Sequence, residues 1–322
     1  MTTDASGARV TTERIERAAH SIDAAFLHTP QFAADQLRAR LGFDVVLKVE
    51  TVNPIRSFKG RGADFLLSSL PAGVTAVACA SAGNFGQGVA YAGRRRGVDV
   101  HVHASRNANP LKLQRMRELG AVVHVAGEDF DEAKEIAARE AAGSGRWYVE
   151  DGREPAIAEG AGTIAVELAR GFPDLSHALV PVGNGSLISG VGRWLKRVSP
   201  ATRVIAVGSA GAPTMHDAWR SGSLQAGGPP RTIADGIAAR VPVPEALREM
   251  AEVVDDFLLV EDEAIVEAMR VLFADLGLVA EPAGVVGLAA AIAHADALAG
   301  GRVAVPICGA NLTHEQVRRW LL

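Results

Sequence analysis

Apolar runs of strand length alternate with stretches of helical periodicity from about residue 45 to the C-terminus. Runs rich in Val, Ile, Ala and Leu at 45–50, 75–81, 98–104, 121–126, 147–150, 178–182, 203–207, 256–260 and 302–308 predict strands. Most are near-continuous rather than alternating, as expected where both faces of a parallel sheet are covered. Between them the spacing predicts helices over 86–96, 109–119, 131–142, 157–170, 187–198 and 262–276. This succession predicts an α/β fold of open, mostly parallel sheets with helices on both faces and right-handed crossovers. The most apolar long stretch, 282–300, carries His294 and Asp296 and is rich in Ala and Gly, so it reads as a buried helix rather than a membrane span. Residues 221–230, rich in Gly and Pro, read as a surface loop.

Composition narrows the class. A chain of 322 residues with 48% hydrophobic content can bury one large core or two moderate ones, and two domains are expected. With 33 Lys and Arg against 37 Asp and Glu, neither nucleic acid nor a membrane surface is an indicated partner. The one basic run, Arg94-Arg95-Arg96, precedes Gly97 and reads as cations at a helix C-terminus. Two cysteines, Cys79 and Cys308, give neither a disulfide framework nor a metal spacing, which fits a reducing cytoplasm. Residues 1–10 lack the apolar core of a signal peptide and are expected to form a loose tail.

Ligands of parallel sheets bind beyond the carboxyl ends of strands, so the chemistry is sought in the loops that follow them. After the first strand comes Asn53-Pro54-Ile55-Arg56-Ser57-Phe58-Lys59-Gly60-Arg61-Gly62-Ala63. Ser57 is a suitable N-cap for a helix through Phe65, Leu66 and Leu67, which places Lys59 in its first turn. There the helix dipole opposes the ammonium form, one route to a nucleophilic amine, although taken alone the segment reads more simply as a solvated lysine. The turn Ser81-Ala82-Gly83-Asn84-Phe85-Gly86-Gln87-Gly88 offers backbone N–H groups to an anion such as a carboxylate. Val182-Gly183-Asn184-Gly185-Ser186-Leu187 is tighter and suits a phosphate, and Cys308-Gly309-Ala310-Asn311 taken singly is a buried thiol before a helix cap.

Six stretches in order, SFKGRGA, SAGNFGQGVA, VGNGSLISGV, Ala234-Asp235-Gly236-Ile237, Glu281-Pro282-Ala283-Gly284 and CGAN, resemble the fold-type II pyridoxal-phosphate enzymes, most closely the serine/threonine dehydratase branch. The resemblance implies pyridoxal 5'-phosphate as cofactor, a small amino acid as substrate and a homodimer. It also implies a two-domain fold like the tryptophan synthase β chain, with a large cofactor-binding domain from 1–75 and 151–322 and a small mobile domain at 76–150. By it, Lys59 is the Schiff-base lysine and Phe58 covers a face of the cofactor ring. Gly183, Asn184, Gly185, Ser186 and Leu187 cradle the phosphate, here GNGS where relatives often have four glycines. Asn84 bonds the ring hydroxyl, Gly236 and Glu281 belong to the cofactor site, and Cys308 stands as a neutral partner to the ring nitrogen. Ser81, Ala82, Gly83, Asn84 and Phe85 hold the substrate carboxylate, with Ala161 and Arg56 bordering the substrate pocket; Arg56 either points inward to a second carboxylate or, since an unpaired buried guanidinium is costly, outward into solvent, and the outward direction is expected.

The reaction so implied is α,β-elimination from a β-hydroxy amino acid, with Lys59 freed by transimination to act as base at Cα, giving a 2-oxo acid and ammonia. A neutral partner at the ring nitrogen makes a shallow electron sink, which favours prompt loss of the β-substituent. The chain departs from the family at Phe85 (usually His), at Ile55-Arg56 (usually Thr-Gly) and at Ala161 (commonly Gln), so a substrate other than plain serine is expected. Ala82 replaces the serine of related racemases, so racemisation is not expected. No metal is expected either, since 208–214, where many relatives bind a cation, has no carboxylate. The chain stops soon after its last motif, and no regulatory domain is expected. A β- or γ-replacement enzyme and a non-catalytic cofactor-binding protein are the alternatives.

Overall fold

In the computed structural model, which describes residues 8–322, the alternating elements resolve into two sheets. In chain order they begin α1 (Thr12–Ser21), β1 (Gln31–Ala33), α2 (Asp35–Leu41), β2 (Asp44–Val49), α3 (Lys59–Ser68), β3 (Ala76–Ala80) and α4 (Asn84–Arg96). Next come β4 (Asp99–Ala104), α5 (Pro110–Glu118), β5 (Val122–Val125), α6 (Phe130–Ser144), β6 (Trp147–Tyr148), α7 (Pro155–Gly171), β7 (His177–Pro181) and α8 (Ser186–Val198). The remainder is β8 (Arg203–Ser209), α9 (Thr214–Ser221), α10 (Pro244–Val253), β9 (Asp256–Val260), α11 (Asp262–Leu276), α12 (Pro282–Ala293), α13 (Ala295–Leu298), β10 (Arg302–Ile307) and α14 (His314–Trp320).

The larger sheet runs β1-β2-β10-β7-β8-β9, parallel except for β1, which pairs antiparallel with β2 at the edge. The smaller sheet, β5-β4-β3-β6, is wholly parallel. All nine predicted strands and six predicted helices are present, with ends shifted by a residue or two where they differ at all. The central strands β2, β7 and β10 are buried nearly throughout, which is why they read as continuous apolar runs. The apolar stretch 282–300 is α12 with a break at His294 before α13, and no helix among the described residues is long and apolar enough to cross a membrane.

Two expectations are corrected. Ser57 is not the N-cap of α3; the helix opens at Lys59 with Phe58 in that place, because Ser57 is engaged in an antiparallel bridge to Gly309. The end of the expected loose tail is packed: Ala8 and Val10 are buried, and Val10 shares a small cluster with Ile15, Ala158 and Val166. Residues 1–7 lie outside the described residues.

Helix α3 is held by backbone contact on two sides. A Cβ on Gly88 of α4 would come within 3.0 Å of the Lys59 carbonyl oxygen, and one on Gly160 of α7 within 2.5 Å of that of Arg61. From the other direction, a Cβ on Gly62 would lie 2.6 Å from the carbonyl oxygen of Ile157. In its first turn α3 carries Arg61, which is fully enclosed. Its guanidinium reaches Glu50 through Nε and Nη2, both at 2.8 Å, and Glu167 through Nη1 at 2.7 Å, with Thr163 at 2.9 Å. Lys48 joins from β2, donating to Glu167 at 2.5 Å and to the Thr29 carbonyl at 2.7 Å. Two cations thus meet two carboxylates, as burial of charge demands.

Burial alone would raise the Glu167 carboxyl, but Arg61 and Lys48 outweigh it and hold it at about 2, against an ordinary 4.5. A depressed folded-state value stabilises fully above pH 4.5 and is lost as pH falls towards 2. Chemical denaturation of wild type and Glu167→Gln should therefore show a gap that shrinks by on the order of 2–3 kcal/mol across that window. A gap of constant size would mean that the carboxylate is not held as described.

Candidate active site

The carboxyl ends of strands from both sheets converge on one cleft of about 760 Å³. Lys59, at the mouth of α3, lies on its wall with its Nζ 4.8 Å from the Phe58 ring centroid. The loop before it is built by Asn53, whose side-chain oxygen accepts from the Ile55 and Ser57 N–H groups while its amide donates to the Glu50 and Ser57 carbonyls. The loop after β10 is stitched to this one: Phe58 N–H donates to Cys308 O at 3.1 Å, Ala310 N–H to Arg56 O at 3.0 Å, and Asn311 Nδ2 to Ile55 O at 2.9 Å. It is stitched equally to the start of α12, since Glu281 N–H donates to Gly309 O at 2.9 Å and Cys308 N–H to Gly284 O at 3.0 Å. Three motifs far apart in sequence are one hydrogen-bonded unit.

Asn84 begins α4, and its side chain is fixed by two partners. Its Nδ2 donates to Glu281 Oε1 at 2.5 Å and its Oδ1 accepts from Asn311 Nδ2 at 2.8 Å. One amide hydrogen of Asn84 remains for a ligand. Burial raises the Glu281 carboxyl above its usual range, against the opposing pull of Lys112. In the preceding turn the Ser81 hydroxyl accepts from the Gly83 and Gly86 N–H groups at 3.2 and 2.9 Å, which shapes the loop whose first-turn donors have no intrahelical acceptor.

Across the cleft, β7 ends at Pro181 and the turn 183–185 leads into α8 at Ser186. Gly185 has φ +92°, and a Cβ there would also meet the Ala246 Cβ at 2.7 Å, so only glycine fits. The N-terminus of α8 with its glycine turn presents donors of the kind that bind a phosphate. Cys308 lies on the wall as a buried thiol, pushed well above its usual range by burial, then by Glu50, and so neutral. An amine, an amide, a helix N-terminus behind a glycine turn and a neutral thiol around one cleft fit pyridoxal phosphate.

Of the residues singled out from sequence, Phe58, Lys59, Ser81, Ala82, Gly83, Asn84, Phe85, Gly183, Asn184, Gly185, Ser186, Leu187, Gly236, Glu281 and Cys308 all line this cleft. Arg56 and Ala161 do not: Ala161 is displaced from the substrate pocket, and of the two directions open to Arg56 the structure has the outward one. Arg56 is exposed at φ +51°, in the left-handed region, where its guanidinium keeps its water instead of entering an apolar wall. Ala161 is enclosed within α7, packed in the same core cluster as Phe58 and behind the wall.

Two groups were missed. Asp151, just beyond β6, accepts from Lys59 Nζ at 2.6 Å and from the Ser186 hydroxyl at 2.7 Å, joining the lysine to the glycine turn. Its place after a parallel strand was the available signal. Lys112 of α5 reaches Asp235 at 2.7 Å from the opposite side of the cleft. Burial lowers its amine, but Glu281 and Asp235 outweigh this and the net shift is upward. No local motif marks a lysine in the first turn of that helix.

Comparison with known proteins agrees with this chemistry. The family described as "Pyridoxal-phosphate dependent enzyme" matches residues 22–309. The chain is 34% identical over 312 residues to the L-threonine ammonia-lyase of Thermotoga maritima, covering 96% of this chain and 78% of that one. It is 36% identical over 299 residues to the chloroplastic biosynthetic threonine dehydratase 1 of Solanum lycopersicum, covering 90% of this chain but 49% of that protein's length. Among solved structures, maize serine racemase superposes with a TM-score of 0.90 at 26% identity, covering 96% of each chain. The chain belongs to the pyridoxal-phosphate dependent enzyme family.

Proposed function

We propose that this protein is a pyridoxal-phosphate-dependent lyase that eliminates water from a β-hydroxy amino acid of the threonine/serine type, giving a 2-oxo acid and ammonia. The observation that carries the reading is that Lys59, the neutral, buried thiol of Cys308 and the Gly183–Leu187 turn line one cleft, with Asp151 joining the lysine to the turn. The relatives named threonine ammonia-lyase and threonine dehydratase support it.

When bound, the cofactor supplies an electron sink conjugated to the substrate Cα. Lys59 would hold it and would take the proton from Cα as general base. The α8 N-terminus and, turned from Asp151, the Ser186 hydroxyl would hold the phosphate. Asn84, positioned by Glu281 and Asn311, would orient the ring, and Cys308 would offer the ring nitrogen a neutral thiol. The α4 N-terminus beside Ser81 takes the substrate carboxylate.

The part that bears the small sheet, residues 76–150, closes over the rest to exclude water. Ion pairs already span the cleft, Lys112 with Asp235 and Arg240 with Asp131, and can hold it shut. The protein works as a homodimer in the cytoplasm, which light scattering and fractionation would test.

With Arg56 outside the cleft, Phe85 is the departure that remains on its wall, and an apolar ring there favours a β-substituent larger than hydrogen. Threonine should exceed serine in kcat/KM by roughly tenfold, the value of about one well-packed methyl group, and phenylserine should outrank 3-hydroxyaspartate. Serine preferred in both wild type and Phe85→His would refute this. Arg56→Gly should leave the specificity order intact and raise stability by about 0.5–1 kcal/mol by relieving the positive φ. A selective loss of 3-hydroxyaspartate turnover in that variant would instead place the arginine at the substrate.

The purified protein should be yellow, with borohydride fixing the cofactor on Lys59, and Lys59→Ala should lose turnover by several orders of magnitude. Full activity of that variant without added amine would end the assignment. Since Ala82 has no transferable proton, recovered substrate should remain a single enantiomer in deuterated solvent; deuterium-labelled antipode is the contrary result.

A further inference from the structure

Outside the cleft, three histidines share one face of the smaller sheet. His101 and His103 are two residues apart on β4, and His124 is paired in register with His103 from β5. The rings of His103 and His124 stack at 4.6 Å between centroids, those of His101 and His124 at 5.2 Å, and His101 Nδ1 lies 2.9 Å from His124 Nε2. Glu140, from α6 lying across this face, brings its Oε2 to 2.9 Å from His103 Nε2.

His103, His124 and Glu140 each offer a donor atom, and the three atoms lie within 4.8 Å of one another. A tetrahedral zinc ion with bonds near 2.0–2.2 Å spaces its ligand atoms at roughly 3.3 Å, so modest side-chain rotation completes the set. The ring of His103 is fully enclosed and fixed in register on β4, with its Nε2 turned to the Glu140 carboxylate, so the ligating nitrogen is already aimed at the space the three donors share. None of the three residues belongs to the cleft or to the chemistry assigned above.

We propose that His103, His124 and Glu140 form a binding site for one divalent transition-metal ion of the zinc class. Imidazole nitrogens with a single carboxylate suit zinc, cobalt, nickel or copper and are poor ligands for magnesium or calcium, which take sets of oxygens. The sheet register fixes two ligands on neighbouring strands and α6 supplies the third. The half-exposed Glu140 leaves the remaining positions to water. His101, hydrogen-bonded to His124, orients that ring as the outer neighbour of a ligating histidine does. The ion would pin α6 to the sheet. The same helix carries Asp131 and Lys134, whose partners Arg240 and Glu150 stand at the cleft.

The test is titration of chelator-treated holoenzyme with zinc chloride against a chromophoric chelator. Wild type should take up one equivalent and gain several degrees in Tm, with neither effect reversed by millimolar magnesium or calcium. His124→Asn and Glu140→Gln should each weaken that equivalent at least tenfold and remove the Tm gain. No stoichiometric uptake, uptake undiminished in both variants, or displacement by magnesium would each overturn the site. Should a variant fail to retain cofactor, X-ray absorption on zinc-loaded wild type decides: imidazole and oxygen ligands support the assignment and sulfur ligands contradict it.

Discussion

Everything at the cleft depends on a guanidinium that never sees it. Arg61 is two residues beyond Lys59 on α3 and binds Glu50 at the end of β2 and Glu167 on α7. Buried ion pairs contribute little net stability against an apolar replacement, but breaking one by removing a single partner leaves a charge stranded, at a cost of about 3–5 kcal/mol. The value of the network is therefore positional: it admits one rotational setting of α3, and that setting directs Lys59 to the cleft.

A similar logic governs the cofactor-facing groups. Glu281 is buried beside Asn84, Asn311 and the Lys112 ammonium, so the amide that meets a ligand is braced from behind. Asp151 ties the lysine to the glycine turn across the cleft. Charges from both halves of the molecule meet there in pairs, which lets a polar cleft hold an anionic cofactor without stranded charge.

Much of this was legible in the chain because local chemistry dictates it. Doubly buried strands must be continuous apolar runs, and a turn at φ +92° must be glycine, so β7 and Gly185 announce themselves. Long-range pairings carry no such mark. Asp151 and Lys112 look like any surface charge until the fold brings Lys59 and Asp235 to them, and β1, three residues long, is too short to establish a period. Ala161, and the inward alternative for Arg56, fail for a related reason. Proximity in sequence to the lysine or to a motif does not say which way a side chain points, and a positive φ in one case and a helix face in the other turned them away.

The glycine contacts around α3 have a consequence for how such an enzyme diversifies. Gly62, Gly88 and Gly160 bring three helices together main chain to main chain, so no larger residue at any of them is accommodated without moving the lysine-bearing helix. The interior scaffold is frozen against small adjustments. Variation must instead accumulate at the strand ends, where Ala82 in the turn and Phe85 at the start of α4 follow a shape set by the Ser81 hydroxyl and not by their own side chains. Substrate preference is thus free to drift while the reaction stays fixed, each being written in a different part of the backbone.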